Sequence, residues 1–366
     1  SIPAKKYGVQ TGEPVGLALQ KCPDLVCVPS DFALYDRCSK AFKSICASYA
    51  PVMESFSIDE VFLDMTGTGQ IYPDPIATAC EIKDRIYREL GFTVNVGIST
   101  NKLLAKMASD FEKPNKVHTL YPEEVPQKMW PLPVRDLLFL GKASEKKLIQ
   151  NGIHTIGDLA QANEKEIQML LGEKSGHQLY LSANGMDDSP VKAQRDEAKG
   201  ISVETTFDED IVSYEQIFPI LLSQCDIVAA RMRREGKKCN CVAVSFRTLE
   251  FKNKSHQCKL ENPTDVTDEI YQNVKRLFQE SWSGQPLRLI GVALTGLTED
   301  SFVQMSLFED PKKREQQKKL DEAMDNIRKK FGNDKISRAS TMNVSGRIAR
   351  KAKAQMENGR EKNNEL

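Results

Sequence analysis

The sequence predicts an α+β protein built from several domains, and three observations lead to this fold class. The chain has 366 residues, which exceeds one typical core and suggests roughly two to four domains. Helical and strand-like patterns alternate in both halves, in the order that places helices on one face of a mainly antiparallel sheet. Between the halves lies a stretch of short helices broken by glycine, which indicates a separate helical domain.

Composition limits the class of protein but not its partner. No apolar run approaches membrane-spanning length and the N-terminus lacks the pattern of a signal peptide, so we expect a cytoplasmic protein. The 9 scattered cysteines favour free thiols; a zinc site at Cys239 and Cys241 is a weaker alternative, because no second close pair completes it. Lys plus Arg and Asp plus Glu each number 51, so the net charge neither supports nor excludes a polyanionic partner.

The N-terminal third is predicted to be a small turn-rich unit followed by an α+β domain. Gly8, Gly12 and Gly16 stand in the opening turns. Residues 99–101 form a helix-capping cluster of serine, threonine and asparagine. Apolar periodicity predicts helices over 15–21, 32–49, 76–90 and 102–111, and a strand over 92–98.

Two adjacent carboxylates, Asp59 and Glu60, interrupt the strand-like run 57–64. Strand side chains alternate, so these two residues face opposite sides of a sheet unless a turn intervenes. A tight turn could aim both at hard divalent cations, which prefer oxygen ligands. The alternative is a strand end with solvated acids, and periodicity does not distinguish the two.

Glycines separate the short helices between residues 131 and 186. One turn has Gly141 followed by lysines, and a second holds Gly172 and Gly176. Glycine lets the backbone N–H groups of a helix N-terminus approach a phosphate. Ordinary glycine helix caps are the alternative, but nearby lysines tilt the interpretation towards a DNA backbone. These lysines are Lys142, Lys146 and Lys147.

The C-terminal half is predicted to be a second α+β domain after a polar linker at 190–199. Cations outnumber acids between residues 226 and 259, which indicates a patch that binds phosphate backbones without reading sequence; a solvated charged face is the alternative. Strands are predicted at 201–206, 241–249, 257–260 and 287–297, and helices at 214–236 and 266–279. The patch comprises Arg231, Arg233, Arg234, Lys237, Lys238, Arg247, Lys252, Lys254 and Lys259.

A short motif, Gln304-Met305-Ser306-Leu307-Phe308, follows this domain in a polar setting. Its exposed Leu and Phe suit an apolar pocket on a partner. A charged helix over 312–331 comes next, and the sequence leaves open whether this helix is regulatory or simply lies on the surface.

Together these segments resemble the bacterial Y-family translesion DNA polymerases of the ImpB/MucB/SamB type, over residues 2–308. The resemblance rests on several motifs that occur in the family's order. Ser57-Ile58-Asp59-Glu60 with Phe62-Leu63-Asp64 resembles the palm signature, and Gly97-Ile98-Ser99 through Lys113-Pro114-Asn115 resembles the second palm block. Further similar segments are 3–9 (fingers), 152–159 (thumb), 199–207 (entry to the little finger) and 304–308 (the peptide that docks on the bacterial sliding clamp).

The resemblance implies a right-hand polymerase architecture with an antiparallel-sheet palm, small fingers, a helix-hairpin-helix thumb and an α+β little-finger domain. The implied boundaries are 1–31 for partial fingers, 32–121 for the palm, 122–190 for the thumb, 191–200 for a linker, 201–300 for the little finger, 301–310 for the clamp-binding peptide, and 311–366 for the charged helix and tail.

The resemblance also implies DNA synthesis across damaged bases, as part of the SOS response, from primer-template DNA and deoxynucleoside triphosphates. Asp59 and Glu60 would hold two Mg²⁺ ions together with a third carboxylate, while Lys5 and Lys113 would neutralise the triphosphate. Sliding-clamp contacts are expected at Gln304, Leu307 and Phe308. DNA contacts are expected at Ser57, Lys102, Lys106, Gly141, Lys142, Gly172, Gly176, Arg247 and Lys252, with a solvated helix surface as the alternative for Lys102 and Lys106.

Departures from the family pattern bear on these expectations. The family's first palm strand carries another metal-binding Asp and an aromatic residue that excludes ribonucleotides. This sequence begins after that strand, so we expect the chain as given to assemble an incomplete two-metal site. Ile2 and Lys5 stand where Tyr and Arg are usual, and lysine lacks the bidentate guanidinium fork. Phe139-Leu140-Gly141 replaces a two-glycine turn, which weakens the first phosphate-binding turn.

Two other functions are compatible with the same residues. The missing first carboxylate favours a non-catalytic module that binds DNA and the sliding clamp. A helix-hairpin-helix nuclease would cleave strands rather than extend them. Lesion preference and fidelity do not follow from the sequence.

Overall fold

The computed structural model describes residues 1–194, 197–299, 311–333 and 335–341. The chain divides into two compact units, Ser1–Arg195 and Asp196–Leu366. This division falls inside the predicted linker 191–200. Among the described residues, every helix is too short or too polar to cross a membrane.

The first unit opens with α1 (Ile2–Lys6), α2 (Val15–Lys21) and α3 (Phe32–Ala47). The start of α3 is fixed by Asp31, whose carboxylate accepts a hydrogen bond from the backbone N–H of Leu34 at 2.9 Å. A capping acceptor satisfies an N–H group that has no partner within the helix, so the helix begins where the sequence supplies one.

An antiparallel hairpin of β1 (Val52–Ser55) and β2 (Val61–Asp64) packs against α3. The helix α4 (Pro75–Leu90) packs beside α3, and its C-terminus stops at Gly91 in the left-handed conformation. Both helices were predicted from their apolar periodicity, and that prediction is confirmed. The buried residues that the two helices contribute to this core are Phe42, Ile45, Cys46, Ile82 and Ile86.

The next segment forms β3 (Val96–Ile98), α5 (Lys102–Asp110) and β4 (Val117–Thr119). The sequence predicts a mainly antiparallel sheet here, whereas β3 and β4 run parallel because α5 is the crossover that connects them. Gly97 lets α5 approach the strand, because a Cβ there would lie 1.9 Å from the Ala105 carbonyl oxygen. Among the described residues, β1–β2 and β3–β4 form two separate two-stranded sheets.

A helical domain follows, as the glycine-broken pattern predicts. Gly176 is buried in its last helix, and a Cβ there would lie 2.6 Å from Gln168 Cα of the preceding helix. Its N–H already donates to the Gly172 carbonyl at 2.8 Å. Gly176 therefore serves helix packing, and its predicted DNA contact stays a prediction. The helices are α6 (Val125–Lys128), α7 (Lys142–Gln150), α8 (Ile156–Gln161), α9 (Glu164–Leu171) and α10 (Glu173–Ala183).

The second unit is a four-stranded antiparallel sheet with helices on one face. Its strand order is β5-β8-β6-β7. Burial alternates along β5, so Val203 and Phe207 enter the core while Ser202 and Glu204 are exposed. The elements are β5 (Gly200–Ile211), α11 (Tyr214–Arg234), β6 (Lys238–Thr248), β7 (Asn253–Thr264), α12 (Thr267–Ser281) and β8 (Leu287–Thr298).

The charged helix α13 (Pro311–Phe331) packs on α12. Asp321, which is 2% exposed, accepts a hydrogen bond from the backbone N–H of Thr267 at 2.8 Å and so caps α12. Arg328, which is 6% exposed, pairs with the buried Asp226 at 2.6 Å. This helix is therefore part of the packed second unit through buried charged contacts.

Candidate active site

The two carboxylates lie in the turn that connects β1 to β2. The N–H groups of Phe56 and Ser57 both donate to the Glu60 carbonyl at 3.1 Å, which closes the turn. Ser57 Oγ donates to Asp59 Oδ1 at 2.7 Å and lies 3.4 Å from Glu60 Oε2. Because of this turn, Asp59 and Glu60 do not face opposite sides of a sheet, and both carboxylates lie near the Ser57 hydroxyl.

Two side chains of α3 hydrogen-bond to the backbone of this turn. Ser39 Oγ donates to the Ile58 carbonyl, and Lys43 Nζ donates to the Ser57 carbonyl at 2.7 Å. Because the turn is attached through its backbone, the Asp59 and Glu60 side chains remain available for other contacts. Asp59 is exposed and Glu60 is half-buried.

A row of alternating charges connects Glu60 to the loop after α5. Lys106 Nζ lies 2.9 Å from Glu60 Oε1 and 2.7 Å from Asp110 Oδ2, and Lys113 Nζ lies 2.6 Å from Asp110 Oδ1. Lys106 and Asp110 share a helix face because they are four residues apart. The structure therefore brings together three predicted residues, Glu60, Lys106 and Lys113, through a fourth that was given no role.

Burial and ion pairing oppose each other in this row. Burial disfavours the charge on Lys106, but its hydrogen bonds to Asp110 and Glu60 outweigh that effect and raise its pKa. Burial likewise opposes the Asp110 charge, and hydrogen bonds from Lys106 and Lys113 still lower the pKa of that carboxyl. Both groups therefore stay charged at neutral pH.

Asn95 is a second residue of the site that the sequence patterns do not predict. Its Nδ2 donates to the carbonyls of Ser109 and Glu112 at 3.0 and 2.8 Å, and its Oδ1 accepts from the Lys116 N–H at 3.1 Å. These bonds fix the loop that carries Lys113 to the end of α5. A lone polar residue before a strand gives no sequence signal for such a role.

Lys102 lies about one turn before Lys106 on α5 and pairs with a different acid. Its Nζ contacts both Glu54 carboxylate oxygens at 2.7 and 2.8 Å and lies 5.1 Å from the Phe62 ring centroid. Glu54 also accepts a hydrogen bond from the Lys192 N–H at 2.9 Å. Lys102 thus joins α5 to β1, an internal role that differs from the solvated helix surface considered for it; its predicted DNA contact stays a prediction.

The donor set of the turn suits a divalent cation. Asp59, Glu60 and the Ser57 hydroxyl supply hard oxygen atoms, and Mg²⁺ is commonly bound by one or two carboxylates plus phosphate and water oxygens. No cluster of three or more His, Cys, Asp or Glu residues with metal-binding geometry occurs among the described residues. The fit is therefore to a pair of carboxylates that other oxygen ligands complete.

Two predicted DNA-binding glycines of the helical domain are exposed at helix starts. Gly141 is the N-cap of α7 and is followed by the exposed Lys142. Gly172 is the N-cap of α10, and its φ of 93° is a backbone conformation that favours glycine. Lys5 is exposed in the last turn of α1. The roles predicted for these residues in binding DNA and nucleotide stay predictions.

The cationic residues predicted to form one patch in the second unit are divided between the surface and the interior. Arg233 has a buried side chain that pairs with Asp321 and Asp325 at 3.3 and 2.7 Å. Its place in the predicted patch is wrong, because those ion pairs hold it inside the domain. Arg247 and Lys252 lie at the β6–β7 hairpin end, where Arg247 Nε donates to Asn253 Oδ1 and Lys252 pairs with Glu250. Gln304, Leu307 and Phe308 lie outside the described residues.

Comparison with protein families identifies three matched regions. The impB/mucB/samB family matches residues 1–110, and its C-terminal domain matches residues 198–307. The thumb domain of DNA polymerase-iota matches residues 135–187. These regions cover the two strand-containing domains and the helical domain between them.

Individual proteins give the same result. "DNA polymerase IV" of Clostridium acetobutylicum is 42% identical over 339 residues, which span 93% of this chain and 85% of that protein. "DNA polymerase IV" of Acetivibrio thermocellus is 37% identical over 94% of this chain and 87% of its own length. A solved Y-family DNA polymerase chimera shares the fold, with a TM-score of 0.71 and 23% identity over 82% of this chain and 87% of that one.

Proposed function

Because the chain belongs to the impB/mucB/samB family of Y-family DNA polymerases, we propose that the turn bearing Asp59 and Glu60 forms part of its nucleotidyl-transfer site. The protein is a DNA-directed DNA polymerase that synthesises DNA across damaged template bases. Its substrates are template DNA and nucleotides.

One observation carries the assignment of the site. The acidic turn is the starting point of the charge row Glu60–Lys106–Asp110–Lys113, with every link at or below 2.9 Å. A phosphoryl-transfer site needs carboxylates for a metal and cations for a polyphosphate at short range. This row supplies both within one domain.

The residues fit a divalent metal ion, and we assign Mg²⁺ to Asp59 and Glu60. When bound, such a metal lowers the pKa of an attacking hydroxyl and neutralises charge on the triphosphate. Ser57 orients the Asp59 carboxylate through its 2.7 Å hydrogen bond.

The lysines of the row have distinct roles in this proposal. Lys113 is 61% exposed on its side chain and is tethered by Asp110, so its ammonium group can reach a phosphate while staying near the turn. Lys106 is largely covered and balances the charge of Glu60. Lys5 would add a further point charge from α1.

Several finer predictions go with this function. Gln304, Leu307 and Phe308 would dock on the bacterial sliding clamp, and the protein would act in the SOS response in the cytoplasm. The prediction that the chain lacks the family's first palm strand is not confirmed, since the match to the Clostridium protein spans 93% of this chain. The non-catalytic module and the nuclease are the competing functions.

Primer extension by the protein tests the proposal. Labelled primer-template DNA is incubated with all four deoxynucleoside triphosphates and Mg²⁺, and Asp59→Asn is compared with the wild type. We expect Asp59→Asn to reduce extension by at least about a thousandfold, because it removes a charged metal ligand. Its affinity for DNA, measured by fluorescence anisotropy, should be unchanged.

The controls separate the competing functions. Glu123→Gln removes an exposed acid elsewhere in the first unit and should extend primers normally. Cleaved products would support the nuclease, and DNA binding without any product would support the non-catalytic module. Loss of both extension and DNA binding in Asp59→Asn, together with a lowered unfolding temperature, would show that the turn has only a structural role.

A further inference from the structure

Phe139 combines a left-handed backbone conformation with exposure to solvent, as Phe251 does in the second unit. Its φ is 67, in the left-handed region that strongly favours glycine. The residue is 77% exposed, although a phenylalanine ring favours burial. The backbone conformation is thus unfavourable for this residue, and the ring gains little from the rest of the protein.

The contacts of the ring lead towards the acidic turn. The Phe139 and Phe56 rings pack edge to face with centroids 6.4 Å apart, and Phe56 packs against Phe62 in the same way at 5.2 Å. Phe56 directly precedes Ser57, which hydrogen-bonds to Asp59. A row of three aromatic rings therefore connects the start of the helical domain to the proposed active site.

This internal packing does not explain why phenylalanine stands at this position. Phe139 stays 77% exposed in spite of its contact with Phe56. Hydrophobic burial therefore offsets little of the free-energy cost of its backbone conformation. Glycine would remove that cost and leave the Phe56–Phe62 pair in place. The position of the ring, just before the lysines of α7 and in contact with Phe56 beside the acidic turn, points to a benefit outside the folded chain.

We propose that Phe139 is a DNA-contacting residue whose ring packs on a sugar or base of the strand that enters the acidic turn, an inference that rests on the proposed function. Aromatic rings bind nucleic acid without reading sequence, because every base offers a π-face. The charges beside the ring fit this partner, since Lys142 and Lys146 are both exposed on the first turns of α7. Phe139 would thus add an aromatic contact where the sequence pattern alone indicates a weakened phosphate turn.

Three variants at this position separate the ring from the backbone. Phe139→Ala removes the ring and keeps an L-residue with positive φ, Phe139→Gly removes both the ring and the strain, and Phe139→Tyr keeps the ring. Met169→Ala is the matched control, because Met169 is 79% exposed in the same helical domain. The dissociation constant for primer-template DNA is measured by fluorescence anisotropy, and stability by thermal unfolding.

We expect Phe139→Ala and Phe139→Gly to weaken DNA binding by about 5-fold to 140-fold, the range of one aromatic stacking contact. Phe139→Tyr and Met169→Ala should bind as the wild type does. Phe139→Gly should unfold at the wild-type temperature or above it, so that its weaker binding cannot come from partial unfolding. Photo-crosslinking of DNA that contains 5-iododeoxyuridine should attach the DNA to the peptide that carries Phe139.

Other outcomes overturn the inference. Unchanged DNA affinity in Phe139→Gly would contradict the role of the ring. So would a lower affinity in Phe139→Ala together with wild-type affinity in Phe139→Gly, because the backbone conformation would then be the cause. If Phe56→Ala weakened DNA binding equally and no crosslink formed at Phe139, the ring would serve only to pack the helical domain against the acidic turn. If the wild-type protein failed to extend primers, the proposed function would fail, while the binding and crosslinking results would still decide whether Phe139 contacts DNA.

Discussion

Asp110 links two lysines at the edge of the acidic turn. Its carboxylate oxygens lie 2.7 Å from Lys106 Nζ and 2.6 Å from Lys113 Nζ. Lys106 in turn contacts Glu60, so the position of the exposed Lys113 depends on an acid to which no role was assigned from the sequence. We regard Asp110 as a positioning residue in the proposed site.

Asp110→Asn should therefore weaken nucleotide binding more than it slows the chemical step. With Lys113 untethered, we expect KM for the nucleotide to rise about tenfold, the effect of one charge-assisted hydrogen bond, and kcat to change less. Steady-state kinetics of single-nucleotide insertion measure both constants. Glu112→Gln is the control. Glu112 and Lys116 are both exposed, and their ion pair, 3.4 Å long, should contribute little to nucleotide binding. A lowered kcat with unchanged KM would contradict the role given to Asp110.

Residue patterns predicted the acids and lysines of the site but not the interactions among them. Asp59, Glu60, Lys106 and Lys113 were assigned from motifs, and three of them lie in one charge row. The spacing of Lys106 and Asp110 was visible as an i, i+4 pair. What the sequence could not give was the turn between β1 and β2, because a strand-like run of apolar residues continues on both sides of it.

At the scale of elements, the close packing of α5 on β3 places the charge row. Gly97 permits this contact: a Cβ there would lie 1.9 Å from Ala105 O and 2.6 Å from Ser109 N. Both atoms belong to the backbone, which cannot rotate away as a flexible side chain could. The helix would have to move, and Lys106 and Asp110 would move with it.

Gly97→Ala should accordingly destabilise the first unit by about 1–3 kcal/mol or more, the cost of overpacking a closely packed contact. Urea unfolding followed by Trp130 fluorescence measures the change in the free energy of unfolding. The matched control is Gly69→Ala, since no atom lies within 4 Å of a Cβ at that position. A stability equal to the wild type in Gly97→Ala would show that α5 adjusts easily, contrary to the packing described.

The elements themselves were predicted unevenly. Helices with a clear apolar stripe, such as α3 and α4, were predicted to within a few residues. The strand β4 was missed because it has only three residues after a lysine-rich loop. The strand β7 was predicted too short, because its first residues, Asn253 to His256, are polar and weak strand formers in sequence.

At the scale of the whole molecule, α13 adds buried charges to the second unit. Asp226 pairs with Arg328 at 2.6 Å, and Asp321 pairs with Arg338 at 2.6 Å and with Arg233 at 3.3 Å. Buried charges are tolerated only when they are paired, so each residue of this network depends on the others. The helix therefore contributes to the stability of the domain.

Arg328→Ala should destabilise the second unit by about 3–5 kcal/mol, because it leaves the buried Asp226 carboxylate without its closest partner. Unfolding is followed by the fluorescence of Trp282, which is 6% exposed, in a Trp130→Phe background. Lys319→Ala breaks an exposed pair with Glu315 on the same helix and should change stability by less than about 0.5 kcal/mol. Equal effects of the two substitutions would show that burial gives the network no special weight.

The inward-facing Arg233 also changes how the second unit meets a polyanion. Affinity for DNA falls with added salt in proportion to the number of phosphates that a protein neutralises, because each neutralised phosphate releases condensed counterions. Arg233 is held by Asp321 and Asp325, and Lys237 by Glu197 at 2.6 Å. The salt dependence of DNA binding should therefore correspond to fewer cations than the sequence of this domain contains. The difference equals the number of cations that pair with acids of the domain rather than with phosphates.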